Sequence, residues 1–186
     1  YLYSDSTMLF YKDPVLWSEE NQILGDTVEI FLKKSQIDSM SIPLAPFLIT
    51  KEDTVGFDQI KGKQLQAKFN NNKLFRMWIT GNTESIYYAK DDKDNYFGMN
   101  KAICAEMKIN FEDNKPSRIL FNDHPEGSFS PLHEVLFKKN LLEGFDWRIK
   151  ERPVKPTNIF MVHPKDLYDS LASPNPEIFA SVGIGF

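Results

Sequence analysis

The chain has 186 residues, with 22 Lys and Arg against 26 Asp and Glu, a formal charge of −4. That length holds one domain, or one domain with an extension, and a hydrophobic share of 41% supplies a sizeable core. The acidic balance argues against nucleic acid as a partner, and no run reaches the roughly 18 apolar residues of a membrane helix. A single cysteine, Cys104, excludes an internal disulfide framework and a thiolate-rich metal site. The opening Tyr1-Leu2-Tyr3-Ser4-Asp5 has no initiator Met, basic leader or apolar signal region, and reads as a mature or trimmed product.

From the first residue to about Asn122, short runs rich in Ile, Phe, Tyr and Thr alternate with polar clusters such as Lys33-Lys34-Ser35-Gln36 and Asn70-Asn71-Asn72-Lys73. Leu65, Ala67 and Phe69 share one face of their segment, while Gln64, Gln66 and Lys68 take the other. A helix needs apolar residues at three- and four-residue spacing, so this period of two predicts antiparallel β-strands.

The strands repeat. Ile23, Val28, Ile30, Leu32, Ile37, Met40 and Ile42 recur, 37 positions on, as Ile60, Leu65, Ala67, Phe69, Leu74, Met77 and Ile79. A further shift of 42 reaches Met107, Ile109, Phe111, Ile119 and Phe121, with Pro116 where the second strand of the unit begins. Each unit reads as strand, tight turn, strand, then a connecting hairpin. Such units bury their apolar faces only by stacking, which predicts a trough or flattened jellyroll with an apolar inside. The odd step from Ile37 to Met40 breaks the alternation and predicts a bulge.

Past Asn122 the composition changes: seven of the 11 prolines lie in the last 65 residues. Proline removes a ladder donor and fixes φ, so a regular central sheet is not expected there. Short helices are predicted over residues 132–142 and 164–171, the second with Pro164 at its first position. The expected organisation is therefore a β-domain over residues 1–122 and a Pro-rich, partly helical extension over 123–186.

Chemistry-bearing residues are sparse. His124, His133 and His163 lack carboxylates at ligand spacing and read as surface or loop residues, so no metal site is expected. Cys104 reads as a buried, inert thiol. Asp91-Asp92-Lys93-Asp94-Asn95 lacks the Gly and distal Glu of a calcium loop and reads as a solvated hairpin turn. Glu19, Glu20, Asp53 and Asp58 form no evident acid–base pair. No nucleophile triad, phosphate-cradling loop or dinucleotide fingerprint is present, so neither an enzyme nor a cofactor is expected. Trp17, Trp78, Tyr87, Tyr88 and Trp147 are candidates for a sugar-stacking surface; Trp78, outward in this register, reads instead as packing against the C-terminal segment.

Three segments carry a family resemblance: Phe57-Asp58-Gln59-Ile60-Lys61-Gly62-Lys63, Gly81-Asn82-Thr83-Glu84-Ser85-Ile86-Tyr87-Tyr88, and Gly144-Phe145-Asp146-Trp147-Arg148 with Arg152-Pro153. In order and spacing they resemble OstA-like (organic solvent tolerance) proteins, the periplasmic lipopolysaccharide-transport proteins of the LptA type, over about residues 1–153. The resemblance implies an all-β, antiparallel repeat β-jellyroll, an open trough or β-solenoid. It also implies a periplasmic, non-enzymatic carrier of lipopolysaccharide or lipid A acyl chains. The binding interior it implies falls on Val28, Ile30, Leu32, Leu65, Phe69, Met77, Ile79, Met107, Ile109 and Phe111. Meanders leave unpaired edges, so other β-jellyroll transport components, or a second copy head to tail, are expected partners through residues 1–10 and 119–121. The alternative is a closed β-sheet scaffold that contacts glycan or protein through its outer surface.

Overall fold

The computed structural model describes residues 2–3, 6–18, 20–53, 55–112, 115–135 and 140–153. Thirteen strands follow in chain order: β1 (Leu2–Tyr3), β2 (Thr7–Tyr11), β3 (Val15–Ser18), β4 (Asn21–Leu24), β5 (Thr27–Lys33), β6 (Gln36–Ile42) and β7 (Phe47–Glu52). Then come β8 (Gly56–Lys61), β9 (Gln64–Asn70), β10 (Lys73–Lys90), β11 (Tyr96–Glu112), β12 (Lys115–Asn122) and β13 (Glu126–Pro131). A four-residue helix α1 (Leu132–Val135) and a 3-10 turn (Ile149–Glu151) close the described chain. The strands form one antiparallel sheet, strongly curled into a half-barrel.

Two long strands make the curl. The first half of β10 pairs with β9 and its second half with β8, while β11 runs beside it throughout. β11 in turn gives one half to β12 and the other to β13. The sheet thus has a front wall (β1, β2, β5, β6, β9, β12 and halves of β10 and β11) and a back wall (β3, β4, β7, β8, β13 and the other halves). The bend falls at a register shift between Thr80 and Thr83, where Gly81 and Asn82 have positive φ. An extra residue on one strand kinks the pair and raises its twist.

The repeat is visible in the backbone. Ladder bulges leave out Asp38, Phe75 and Ser117, which stand 37 and 42 positions apart. The expected bulge between Ile37 and Met40 is the first of these. Two-residue loops at Lys34-Ser35 and Asn71-Asn72 have both φ angles positive, the turn whose twist matches paired strands. Wall-to-wall crossings repeat too: Asp26 N–H donates to Leu44 O (3.2 Å), Lys63 N–H to Gly81 O (3.1 Å) and Ala105 N–H to Asp123 O (3.2 Å). A residue of positive φ follows each of those acceptors, namely Ala45, Asn82 and His124. At the first two crossings a glycine is required by space. A Cβ on Gly25 would lie 2.4 Å from Ile42 Cγ2, and one on Gly62 2.5 Å from Ile79 Cγ2. The third crossing carries Cys104 instead, buried, its thiol donating to Glu106 O at 3.1 Å.

Two apolar clusters sit on opposite faces of the back wall. Val28, Ile30, Met40, Leu65, Met77, Ile79, Met107 and Ile109 from the front wall pack with Leu16 and Ile23 from the back, inside the trough. Outside the back wall, Leu24, Phe47, Ile49, Ile86, Tyr88 and Met99 are covered by Val135, Leu142, Phe145 and Trp147.

Past Asn122 the described residues stay with the sheet. β13 pairs with β11 over six residues, with Pro131 at its end, and residues 140–148 lie along the back wall. Of the predicted helix over 132–142, Leu132–Val135 is helical, residues 136–139 lie outside the described residues, and from Asn140 onward the backbone is drawn out by side chains of the back wall. The predicted helix over 164–171, His163, Glu19 and the extension beyond Pro153 lie outside the described residues.

Candidate functional site

Between the walls lies a hollow of about 640 Å³. Its front side is apolar: Met40, Leu74, Met77, Met107, Ile109 and Phe111, continued by Pro116, Ile119 and Phe121 toward β12. Strand alternation puts these side chains on one face, and the bulges at Phe75 and Ser117 keep Leu74, Met77, Ile119 and Phe121 pointing inward on either side of the slip. The back side contributes Ile23, Leu48 and Ile60, then turns polar toward the β10–β11 hairpin with Glu52, Asp58, Tyr87, Lys90 and Asn100. The site is amphipathic, greasy along its floor and charged at one end.

The ten residues expected to form an interior all face into the trough, but only four line the hollow: Met77, Met107, Ile109 and Phe111. Val28, Ile30, Leu65, Phe69 and Ile79 are buried in packed core, and Leu32 is half-buried against it. The trough is therefore filled around β5, β9 and Ile79 of β10, and the hollow runs along the rest of β10, β11 and β12 with Met40 of β6 at its border. Packing decides this: Val28, Ile42, Ala67 and Ile79 are 0% exposed, and their tight crossings at Gly25 and Gly62 pull the walls together there. Pro116, at the position where the second unit has Leu74, lines the hollow together with Leu74 itself.

The polar end was not legible as a group. Asp58 takes the Tyr88 N–H on Oδ1 at 2.7 Å. It remains half-buried by accessible surface, as a group facing an internal hollow does. Burial, the largest influence, and the neighbouring Glu52 push its carboxyl up to about 7, against the lowering effect of the Tyr88 hydrogen bond and Lys90. Glu52 pairs with Lys90 at 3.0 Å and accepts the Tyr96 hydroxyl at 2.5 Å, and the Lys90 ammonium lies 4.6 Å from the Tyr96 ring centre. Burial, then the nearby Asp58, raises the Tyr87 phenol above its ordinary value.

The remaining candidates fall elsewhere. His124 and His133 are exposed, beside Asp123 and Glu134. Among the described residues no group of three or more His, Cys, Asp or Glu is placed to hold a metal ion. Asp91 caps the hairpin by accepting the N–H groups of Lys93 and Asn95, both at 2.9 Å, so its carboxylate is used by the turn itself. Burial pushes the Cys104 thiol up, which suits an unreactive side chain.

The outer aromatics correct one expectation. Trp78 does not pack on the described C-terminal segment; it lies on the front wall near the Arg76 guanidinium and the Lys108 ammonium. The segment covers the back wall, where Trp147 meets Trp17 (centroids 5.0 Å apart) and Phe57 (5.2 Å). Two fully buried glutamines, 37 residues apart, hold it there. Gln22 Nε2 donates to Asp146 O (2.6 Å) while its Oε1 accepts Arg148 N–H (2.7 Å). Gln59 Nε2 donates to Asn140 O (2.9 Å) while its Oε1 accepts Leu142 N–H (2.8 Å). Each side-chain amide acts as one rung of a strand, satisfying backbone groups that no neighbouring strand reaches.

Among the described residues no helix is long and apolar enough to cross a membrane. Comparison of the chain with protein-family models, with curated proteins and with solved structures returned no match.

Proposed function

We propose that the protein is a non-enzymatic carrier that shelters the acyl chains of an amphiphilic lipid in the open half of its β-trough. The observation that carries this reading is the amphipathic hollow itself. Its size lies within the roughly 300–1,000 Å³ of small-molecule sites. Each methylene moved from water onto its floor contributes about 0.8 kcal/mol before entropic costs. Three methionines on that floor, Met40, Met77 and Met107, adapt their shape to different chains at little cost. The resemblance to OstA-like proteins of the LptA type makes lipopolysaccharide the guest and the periplasm the place, and extends the reading to an LptA-like jellyroll. A 640 Å³ space takes part of such a multi-chain lipid, with its sugar head outside.

Pairing with other β-jellyroll components belongs to the same proposal. Among the described residues β1, within the expected N-terminal edge, pairs only with β2, and β12, which holds residues 119–121, pairs only with β11, so each leaves one side open to a further strand.

A photo-crosslinking amino acid tests both halves in cells. At Met107 or Ile109 it should capture lipid, and at the exposed Gln66 it should not; equal capture by the two faces would sink the carrier reading. At Arg118 on β12 it should join a second protein chain, and a purely monomeric product would remove the pairing. The rival, a closed scaffold, draws on the side filled around β5 and β9, and it expects capture at Gln66 alone.

A further inference from the structure

The polar end of the hollow draws on four elements. Glu52 comes from β7, Asp58 from β8, Tyr87 and Lys90 from β10, and Asn100 from β11, with Asp94 at the hairpin. Lys90 is engaged by Glu52 and the Tyr96 ring, and those contacts neutralise Glu52 in turn. What is left is acidic. Asp58 uses one carboxylate oxygen for the Tyr88 N–H, and its second oxygen takes no hydrogen bond from a described residue. Asp94 adds a second negative charge, and Tyr87 and Asn100 supply neutral polar groups. Lys90 is the sole cation among the described residues lining the hollow.

A guest lying along the apolar floor brings its head to this end. A phosphate there would face the half-buried Asp58, with the exposed Asp94 at the hairpin and no free cation among the described lining residues, and like charges repel more strongly where hydration is poor. A head that donates a hydrogen bond meets the open oxygen of Asp58, and hydrogen bonds to charged groups are the stronger kind.

We infer that this end is a headgroup site centred on Asp58 that selects amphiphiles with a hydrogen-bond-donating head, an amine, alcohol or amide, over those ending in phosphate. The inference rests on the reading of the hollow as an amphiphile site. For a lipopolysaccharide it places the phosphorylated sugar outside, with only acyl chains within.

The test is displacement of the fluorescent probe N-phenyl-1-naphthylamine by dodecylamine, dodecanol and dodecyl phosphate at pH 8.5 and 5.5. At pH 8.5 dodecylamine should bind about tenfold more tightly than dodecyl phosphate, with dodecanol between them. At pH 5.5 the margin of dodecylamine over dodecanol, two heads whose charge is the same at both pH values, should shrink several-fold, since burial beside Glu52 holds the Asp58 carboxyl protonated there. Asp58→Asn, which keeps an acceptor for the Tyr88 N–H, should narrow the amine–phosphate margin at pH 8.5 and flatten its dependence on pH. Equal binding of the three heads, preference for phosphate, or a margin indifferent to both pH and Asp58→Asn would overturn the inference and leave the carrier reading standing. Failure of the probe and all three amphiphiles to bind would overturn both. The pH comparison of dodecylamine with dodecanol, neither of which changes charge between pH 5.5 and 8.5, decides the matter on the unaltered protein even if the variant does not fold.

Discussion

Asp58 has a cost as well as a use. Its carboxyl titrates near 7 in the folded protein against an ordinary 3.8, so between those values the folded state binds more protons than the unfolded one. The contribution of Asp58 to stability must then fall as pH rises from about 4 to about 7, and the loss is complete above that range. Asp58→Asn removes the charge while keeping an oxygen for the Tyr88 N–H. We expect the variant to be more stable than the parent by about 2–4 kcal/mol at pH 8 and nearly equal to it at pH 4. Urea melts at the two pH values measure this. A variant–parent difference that is the same at pH 4 and pH 8, or a variant weaker at pH 8, would contradict the placement of Asp58 in a poorly hydrated end. The sequence presents this residue as one carboxylate among many, because its environment comes from β7, β10 and β11, which approach it only after the sheet curls.

At the scale of elements, the repeat was legible because it depends on neighbours along the chain. Alternation located the strands, the odd step at Ile37 located a bulge, and the 37-residue shift placed Val28 with Leu65 and Ile30 with Ala67 on one inner face. What alternation cannot report is which inner face meets which. Leu48 and Ile60 face Met40 and Met77 only because each unit crosses from wall to wall at Gly25 and Gly62, and that crossing divides the ten expected interior residues into filled and open sets. One signal was present and unread: Gln22 and Gln59 stand one repeat apart, on a face where apolar residues are the rule. They bind residues 140–148, which is why a segment without strand or helix periodicity lies along the back wall. Gln59→Leu would remove the hydrogen bond to Asn140 O and leave the Leu142 N–H unpaired under that cover, the latter alone at about 1–3 kcal/mol. We expect a loss of about 2–4 kcal/mol in urea unfolding, together with faster hydrogen exchange at the Leu142 amide. Gln66→Leu, on an exposed face, should stay within about 0.5 kcal/mol of the parent. Matching losses at the two sites would mean the glutamine rungs hold nothing.

For the whole molecule, the division of the trough into a filled and an open half makes a prediction about volume. Ile79 and Ile109 are equally hidden, at 0% and 1% exposed, and occupy the same inner face of the front wall. Area alone gives them the same energetic weight, yet their surroundings differ. Ile79 meets the crossing at Gly62, where its Cγ2 already fills the place of a Cβ, so a larger side chain has nowhere to go. Ile109 borders the 640 Å³ space. Ile79→Phe should therefore cost about 1–3 kcal/mol, the penalty of overpacking a dense core, while Ile109→Phe should cost less than about 1 kcal/mol because its ring extends into the hollow. The same Ile109→Phe change should weaken amphiphile binding severalfold by occupying the floor that acyl chains use, and Ile79→Phe, where it folds, should affect binding much less. Urea unfolding paired with probe titration separates these outcomes. Equal destabilisation by the two phenylalanines would indicate a trough packed solid from end to end, and a carrier with a solid interior has nowhere to hold its cargo.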